Sequence, residues 1–255
     1  MSLDFDVLTN TLSEQQPDLL FYGLDRVNST NSYLKKYCKT HKLALCVTND
    51  QYEGYGQRKR IWASNLDSLK MSLLIKLSLP VIESDGLSQY LGLRICSLIN
   101  TVGSREVKIK WPNDLFSVNG KVGGLLIETC SISNDEVTYI VGLGVNLSPL
   151  DNIANNEYEA DFVDLKISKE SFLLLLSQTI IDACRCFSSY NNDDLPSLFR
   201  KYDYFSQGQK VFVYHNERKI VAKYVGLTSR GEVVVSFNNK YKYYRSGSVS
   251  IRAAK

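Results

Sequence analysis

From Leu69 to Leu79 the chain alternates apolar and polar side chains, with Leu69, Met71, Leu73, Ile75, Leu77 and Leu79 on one side and mostly Lys and Ser on the other. Successive side chains of an extended chain point to opposite faces, so this pattern predicts a half-buried strand. The period then lengthens. Leu87, Leu91, Ile95, Leu98 and Val102 recur at helical spacing, which predicts an amphipathic helix capped by Ser84 or Asp85. Upstream, residues 21–27 read as a short strand leading into the helix-capping run Asn28-Ser29-Thr30-Asn31, and residues 43–48 as a buried strand. Segment 108–128 predicts a strand that stops at Pro112, a second strand, and a third entered through an Asn119-Gly120 hairpin turn. A strand over 137–147, a long apolar helix from Ser168 to about residue 187 and a shorter one over 195–202 follow. From Gly208 only short strands remain, at 210–214, 219–225, 232–237, 241–244 and 249–252. This change of texture predicts two domains, 1–205 and 206–255, the second a small SH3-like barrel.

Composition narrows the classes of function. The chain has 255 residues and a formal net charge of +3, too little by itself to argue for a nucleic-acid partner. Two histidines make a His-based zinc site or a Ser-His-Asp triad a poor fit. The six cysteines (38, 46, 96, 130, 184 and 186) have no C-x-x-C spacing, and without a secretory segment they are expected to be reduced thiols. The N-terminus, Met1-Ser2-Leu3-Asp4-Phe5-Asp6, lacks the basic and apolar regions of a signal peptide, and no apolar run reaches membrane-spanning length. The expectation is a cytoplasmic protein with neither membrane nor nucleic acid as partner.

Four features carry chemistry. In the hairpin, Lys121 follows the tight turn and Gly123-Gly124 follows it; alternation puts Lys121 and Gly123 on one face, leaving a gap beside the ammonium. In the loop 51–62, Gly54 and Gly56 adjoin Arg58, Lys59 and Arg60 between Gln51 and Trp62, a combination suited to phosphate or carboxylate. In Val141-Gly142-Leu143-Gly144-Val145-Asn146, period two turns Gly142, Gly144 and Asn146 to one face as a flat backbone surface for a planar group. Ser29-Thr30-Asn31 opens a helix, where polar or anionic ligands bind readily. Each has a plainer alternative in isolation: a surface lysine, a solvated basic loop, a glycine strand under a helix, an ordinary N-cap.

In this order, Ser29-Thr30-Asn31, Gln51 with its Gly-rich basic loop ending at Trp62, Lys110-Trp111-Pro112-Asn113-Asp114, Lys121-Val122-Gly123-Gly124-Leu125-Leu126-Ile127-Glu128 and Gly142-Leu143-Gly144-Val145-Asn146 resemble the biotin protein ligases. The resemblance covers roughly residues 20–150. It implies an α+β fold: a mixed or antiparallel catalytic sheet of the class II synthetase-like, biotin/lipoate ligase type with helices on one side, plus the small barrel. It also implies that biotin's carboxylate attacks the α-phosphorus of Mg-ATP, and that a lysine of a biotin carboxyl carrier domain, as in acetyl-CoA carboxylase, then attacks the biotinyl-5′-AMP. Carried over by position, Ser29, Thr30, Asn31, Gln51, Gly54, Tyr55, Gly56, Gln57, Gly123 and Gly124 surround biotin. Lys121 bridges its carboxylate and the α-phosphoryl group, and Arg58 is a second catalytic cation. Arg58, Arg60, Trp62, Lys110, Trp111, Asn113, Asp114 and Asn146 fall on the nucleotide side, with Asp114 a candidate Mg²⁺ ligand. A monomer or a homodimer is compatible with the family. Alternatives are a lipoate–protein ligase, or a non-catalytic biotin- or nucleotide-binding protein.

Two departures from the family stand out. Its loop usually reads Gly-Arg-Gly-Arg-x-Gly-x-x-Trp, whereas Tyr55 and Gln57 hold the arginine positions here and Lys59 replaces the next glycine. In the family the arginine matching Gln57 helps retain the adenylate, so Arg58 or Arg60 is expected to compensate. Only 28 residues precede Ser29, too few for a winged-helix DNA-binding domain, so ligase activity without operator binding is expected.

Overall fold

The structure, a computed structural model, describes residues 2–78, 85–133, 136–150, 159–187, 189–215 and 218–254. Its centre is a seven-stranded sheet of β1 (Leu20–Val27), β2 (Leu43–Gln51), β3 (Leu69–Leu77), β4 (Lys108–Lys110), β5 (Asp114–Phe116), β6 (Lys121–Ser133) and β7 (Glu136–Val145). The spatial order is β1-β2-β3-β7-β6-β5-β4, with β1 and β2 parallel and the other neighbours antiparallel. Apolar side chains of β2, β3, β6 and β7 face one core with α3 (Leu87–Val102) and α4 (Lys169–Phe187). The opposite face carries the short α2 (Thr30–Leu34), whose Leu34 packs on Ala44, Cys46, Leu74 and Ile140. Helices therefore lie on both sides, although the long ones share one.

The alternation in β3 is real, but the strand is not half-buried. Lys70 is 2% and Ser72 0% exposed, because β3 sits between β2 and β7 and its polar face is covered. Leu79 lies outside the described residues. The cap expected for α3 also differs: Ser84 is outside the described residues, and the cap position is Gly86 at φ 90° with no side-chain bond, a left-handed conformation that glycine adopts without a Cβ clash. Asp85 instead binds Arg230. An N-terminal helix, α1 (Phe5–Gln15), had no expectation. Asp4 accepts from the Asp6 and Val7 amides, and Leu8 and Leu12 turn to the core.

Cys38, just after α2, is disulfide-bonded to Cys130 on β6 across 92 residues. This corrects the expectation of six reduced thiols; a pairing across that separation leaves no local signature. Cys46, Cys96 and Cys184 are buried free thiols, and burial pushes Cys46 and Cys184 up to about 12. No helix among the described residues is long and apolar enough to cross a membrane.

After α5 (Leu195–Tyr202) come β8 (Lys210–His215), β9 (Arg218–Leu227), β10 (Val233–Phe237), β11 (Lys240–Tyr244) and β12 (Ser250–Ala253). They form an antiparallel sheet in the order β11-β10-β9-β8-β12, with no pairing between β11 and β12 among the described residues. This sheet is seated firmly on the first. Tyr204 N donates to Ile109 O at 2.9 Å, and the Trp111 indole donates to Gly231 O at 3.0 Å. Asp203 lies at the joint, where its carboxylate accepts from the Tyr224 hydroxyl at 2.5 Å and the Phe205 amide at 3.0 Å.

Burial pushes the Asp203 carboxyl up to about 7, against the opposing hydrogen bonds from Tyr224 and Phe205 and the nearby Arg200 and Lys108. A raised carboxyl keeps its proton in the fold where the unfolded chain has lost it. Its contribution therefore favours folding most below the unfolded value of 3.8 and declines as pH rises to about 7, a change on the order of a few kcal/mol. Denaturant midpoints of Asp203→Asn and wild type, compared from pH 4 to 8, are expected to show a shallower fall in the variant. Parallel curves would contradict this titration.

Candidate active site

One cavity of about 660 Å³ opens on the polar face of the large sheet. Its floor is β3, β6 and β7, through Lys70, Gly124, Gly142 and Gly144. Ser29, Thr30 and Asn31 of α2 line one end, and Lys110, Trp111, Asn113, Asp114, Lys121 and Asn146 the other. Gln51, Tyr55, Gly56, Gln57, Arg58, Arg60 and Trp62 reach it from the intervening loop. The C-terminal sheet adds Val249, Ser250 and Ile251. Of the residues that the family resemblance places in the site, Gly54 and Gly123 do not line it, and neither does Lys59 of the basic loop.

The α2 end is a chain of hydrogen bonds. Thr30 donates to Gln51 Oε1 from both its amide (2.9 Å) and its hydroxyl (3.2 Å). Ser72 Oγ lies 2.6 Å from Thr30 Oγ1 and 2.5 Å from Asn31 Oδ1. Asn31 Nδ2 donates to Glu128 Oε2 at 2.8 Å, where the Tyr55 hydroxyl also donates at 2.9 Å. The Lys35 ammonium binds Glu128 Oε1 at 2.8 Å and Tyr55 Oη at 3.1 Å. Burial alone would raise Glu128, but hydrogen bonds from Lys35, Asn31 and Tyr55 hold it below the usual range. Glu128 stands within the motif, yet its role as the anchor for Asn31 and Tyr55 was not evident from it. Lys70 and Ser72 fall on the polar side of the strand expected to be half-buried, and the alternation alone does not mark them as site residues.

The glycines of β7 have a specific use. A Cβ at Gly142 would overlap the Asn31 amide, and one at Gly144 would lie 2.5 Å from the Trp62 ring. The strand is therefore not a bare surface awaiting a planar ligand; Asn31 and Trp62 already lie on it. Both Trp62 Nε1 and Asn146 Oδ1 are buried with no hydrogen-bond partner among the described residues. A buried donor and acceptor left in this state beside a cavity are the groups a polar ligand would satisfy.

In the hairpin the Lys121 ammonium pairs with Asp114 Oδ1 at 2.6 Å and lies 5.4 Å from the Trp62 ring. The gap beside it is made by Gly124, where a Cβ would meet Lys121 Nζ at 3.6 Å and Asp114 Oδ1 at 3.4 Å. Gly123 backs onto Leu115 and Gly144 O. This corrects the face expected from alternation: the register shifts opposite Leu115 and Phe116, and a bulge resets the period. Asn113 clips the strands, its side-chain amide and its carbonyl both bonding to Leu125. Trp111, 1% exposed, is a wall.

The loop is a small hairpin, with Trp62 N bonding Gly54 O and Gly56 N bonding Arg60 O, each at 2.8 Å. Gly54 does not line the cavity because it packs against the Gln51 side chain and Trp62 O. Gln57 Nε2 donates to Ser246 Oγ at 3.2 Å and Arg58 Nη2 to Gly247 O at 2.5 Å, so the tip is clipped to the C-terminal sheet. Arg58 and Lys59 have φ of 57° and 56°, costing about 1–2 kcal/mol each for residues with a Cβ. Arg58 and Arg60 also border a second cleft beside His215 and Arg252. No cluster of three or more His, Cys, Asp or Glu among the described residues could hold a metal.

The architecture matches that of the biotin protein ligase from Aquifex aeolicus, solved in complex with biotin and ATP, with a TM-score of 0.74 and 24% identity over 92% of this chain and 99% of that one. The likeness is one of fold. Residues 23–146 match the Biotin/lipoate A/B protein ligase family. Relatives include the bifunctional ligase/repressor BirA of Salmonella typhimurium, 23% identical over 89% of this chain and 73% of its own. The biotin–[acetyl-CoA-carboxylase] ligase of Paracoccus denitrificans is 27% identical over 49% of this chain and 53% of its own.

Tyr55→Phe removes the hydroxyl's bonds to Glu128 and Lys35, together worth about 1–2 kcal/mol, and exchange of the Gly56 and Trp62 amides should quicken roughly five- to thirtyfold. Unchanged exchange, measured by NMR, would show that Glu128 does not hold the loop.

Proposed function

We propose that this chain is an ATP-dependent biotin–protein ligase. The biotin carboxylate attacks the α-phosphorus of ATP, the α–β phosphoanhydride breaks and pyrophosphate leaves; the resulting biotinyl-5′-AMP gives its biotin to a specific lysine of a biotin carboxyl carrier domain. The observation that carries this reading is the place of Lys121: an ammonium paired with one carboxylate at 2.6 Å, in one cavity with hydroxyls and amides at one end and cations at the other.

The difficulty of the first step is to bring the biotin carboxylate onto a polyanion. Lys121 can leave Asp114 and lie between the carboxylate and the α-phosphoryl oxygens, and its charge acts most strongly where both meet. Ser29, Thr30 and Asn31 offer donors and acceptors to the polar ring of biotin, and Ser72 beneath them orients Thr30 and Asn31. Trp62 walls the junction and Asn146 Oδ1 offers an acceptor to an amino group of the base. Nucleotide enters as its Mg²⁺ complex. Asp114 is the single acidic side chain among the described residues lining the cavity, consistent with a magnesium ion held chiefly by phosphates and water plus one carboxylate. When bound, that ion supplies charge neutralisation on the phosphates. In the second step the acceptor amine attacks the acyl carbon of the mixed anhydride, the C–O bond to AMP breaks, and the amine gives up a proton.

Biotin-dependent ATP–pyrophosphate exchange tests the proposal. Exchange is expected with biotin and should fall at least about a hundredfold in Lys121→Ala; exchange with lipoate alone, or none, would sink it. Gln57 and Arg58 line the cavity, but their polar ends bond to Ser246 and Gly247 O. Gln57→Arg is therefore expected to slow adenylate release by about tenfold to a hundredfold, the value of one charge-assisted contact. Equal off-rates would refute that assignment.

A further inference from the structure

We propose that Lys70 is a positioning residue of the cavity loop: its buried ammonium fastens both stems of segment 51–62 and so keeps the loop over the ligand. Lys70 is on the floor of the cavity, directly across from Gly144 in the β3–β7 register, and is 2% exposed. Its Nζ donates to Asn49 O at 2.6 Å and to Asn65 O at 2.8 Å. Asn49 ends just before the loop and Asn65 begins just after it, so one atom closes the loop at its base.

Both anchor points are themselves fixed. Asn49 Oδ1 accepts from the Leu3 amide at 2.8 Å. Asn65 Oδ1 accepts from the Ser68 amide at 2.8 Å, and its Nδ2 donates to Ser148 Oγ and Pro149 O at 2.9 and 3.0 Å. The loop tip reaches Glu128 and the C-terminal sheet through Tyr55, Gln57 and Arg58. Two converging carbonyls are satisfied by a group with several N–H donors, and the Lys70 ammonium has three. Isolation from water makes each bond stronger and the charge costlier. Burial pulls Lys70 down to about 8; Lys169 on α4 adds to this, while Asp50 and Asp67 oppose it. Above that pH the charge assistance is lost and the tie weakens.

The proposal rests on reading 51–62 as the ligand loop, but its test needs neither biotin nor ATP, so its failure is distinguishable from failure of the ligase reading. Arg58, Lys59 and Arg60 are exposed, but trypsin must take the chain in extended form, so the rate of cutting there reports opening of the hairpin bonds of Gly54, Gly56, Arg60 and Trp62. In native digestion of the full chain, followed by mass spectrometry, Lys70→Met is expected to be cut there about tenfold faster than wild type, with Arg185 and Arg200 in α4 and α5 little changed. Lys70→Arg, which keeps the donors, should restore slow cutting. Loop cutting equal to wild type, acceleration shared equally by the helices, or acceleration that Lys70→Arg does not reverse would overturn the proposal. Should Lys70→Met not fold, wild type decides alone: a loop-to-helix cutting ratio that rises several-fold between pH 7 and 9.5 supports the tie, and a flat ratio overturns it.

Discussion

An ammonium held against one carboxylate on the floor of a cavity is the constraint around which this molecule is arranged. Lys121 and Asp114 are 29% and 20% exposed, a setting in which water still screens them and the pair is easily exchanged for another anion. A fully buried pair would be too costly to open. Everything near it preserves that balance. Gly124 keeps the space beside the ammonium empty, Asn113 fixes the strand that carries Asp114, and Trp62 covers the pair from above.

The loop above that floor is held at three points of different chemistry. Tyr55 uses a hydroxyl on Glu128, Gln57 and Arg58 use the 246–247 turn of the C-terminal sheet, and Lys70 closes the base. The C-terminal sheet thus belongs to the site, although it is distant in sequence, and its seat on Ile109 and Trp111 ties loop position to the hairpin that carries Lys121. Tyr55 and Gln57, the two departures from the loop pattern noted in the sequence, both hold the loop.

Much of this was legible in the sequence because short-range chemistry encodes it. The Asn-Gly turn fixed the hairpin, the helix of α4 followed from its apolar stripe, and the five C-terminal strands fall within two residues of their expected ends. What was not legible depends on context that no local pattern carries. The bulge opposite Leu115 moved the gap from Gly123 to Gly124. Lys70 and Ser72 looked like the wet face of a strand until the neighbouring strands and α2 covered them. The bond between Cys38 and Cys130 spans 92 residues, and the glycines of β7 acquired their purpose only once Asn31 and Trp62 were seen lying on them.

The most direct measurement is a crystal structure of the chain with a non-hydrolysable biotinyl-adenylate analogue. The account predicts that the analogue spans the cavity from Asn31 to Asn146, with Lys121 Nζ moved from Asp114 to within hydrogen-bond distance of the linker that replaces the phosphoryl group. An analogue bound elsewhere, or Lys121 still paired with Asp114 beneath it, would contradict the account.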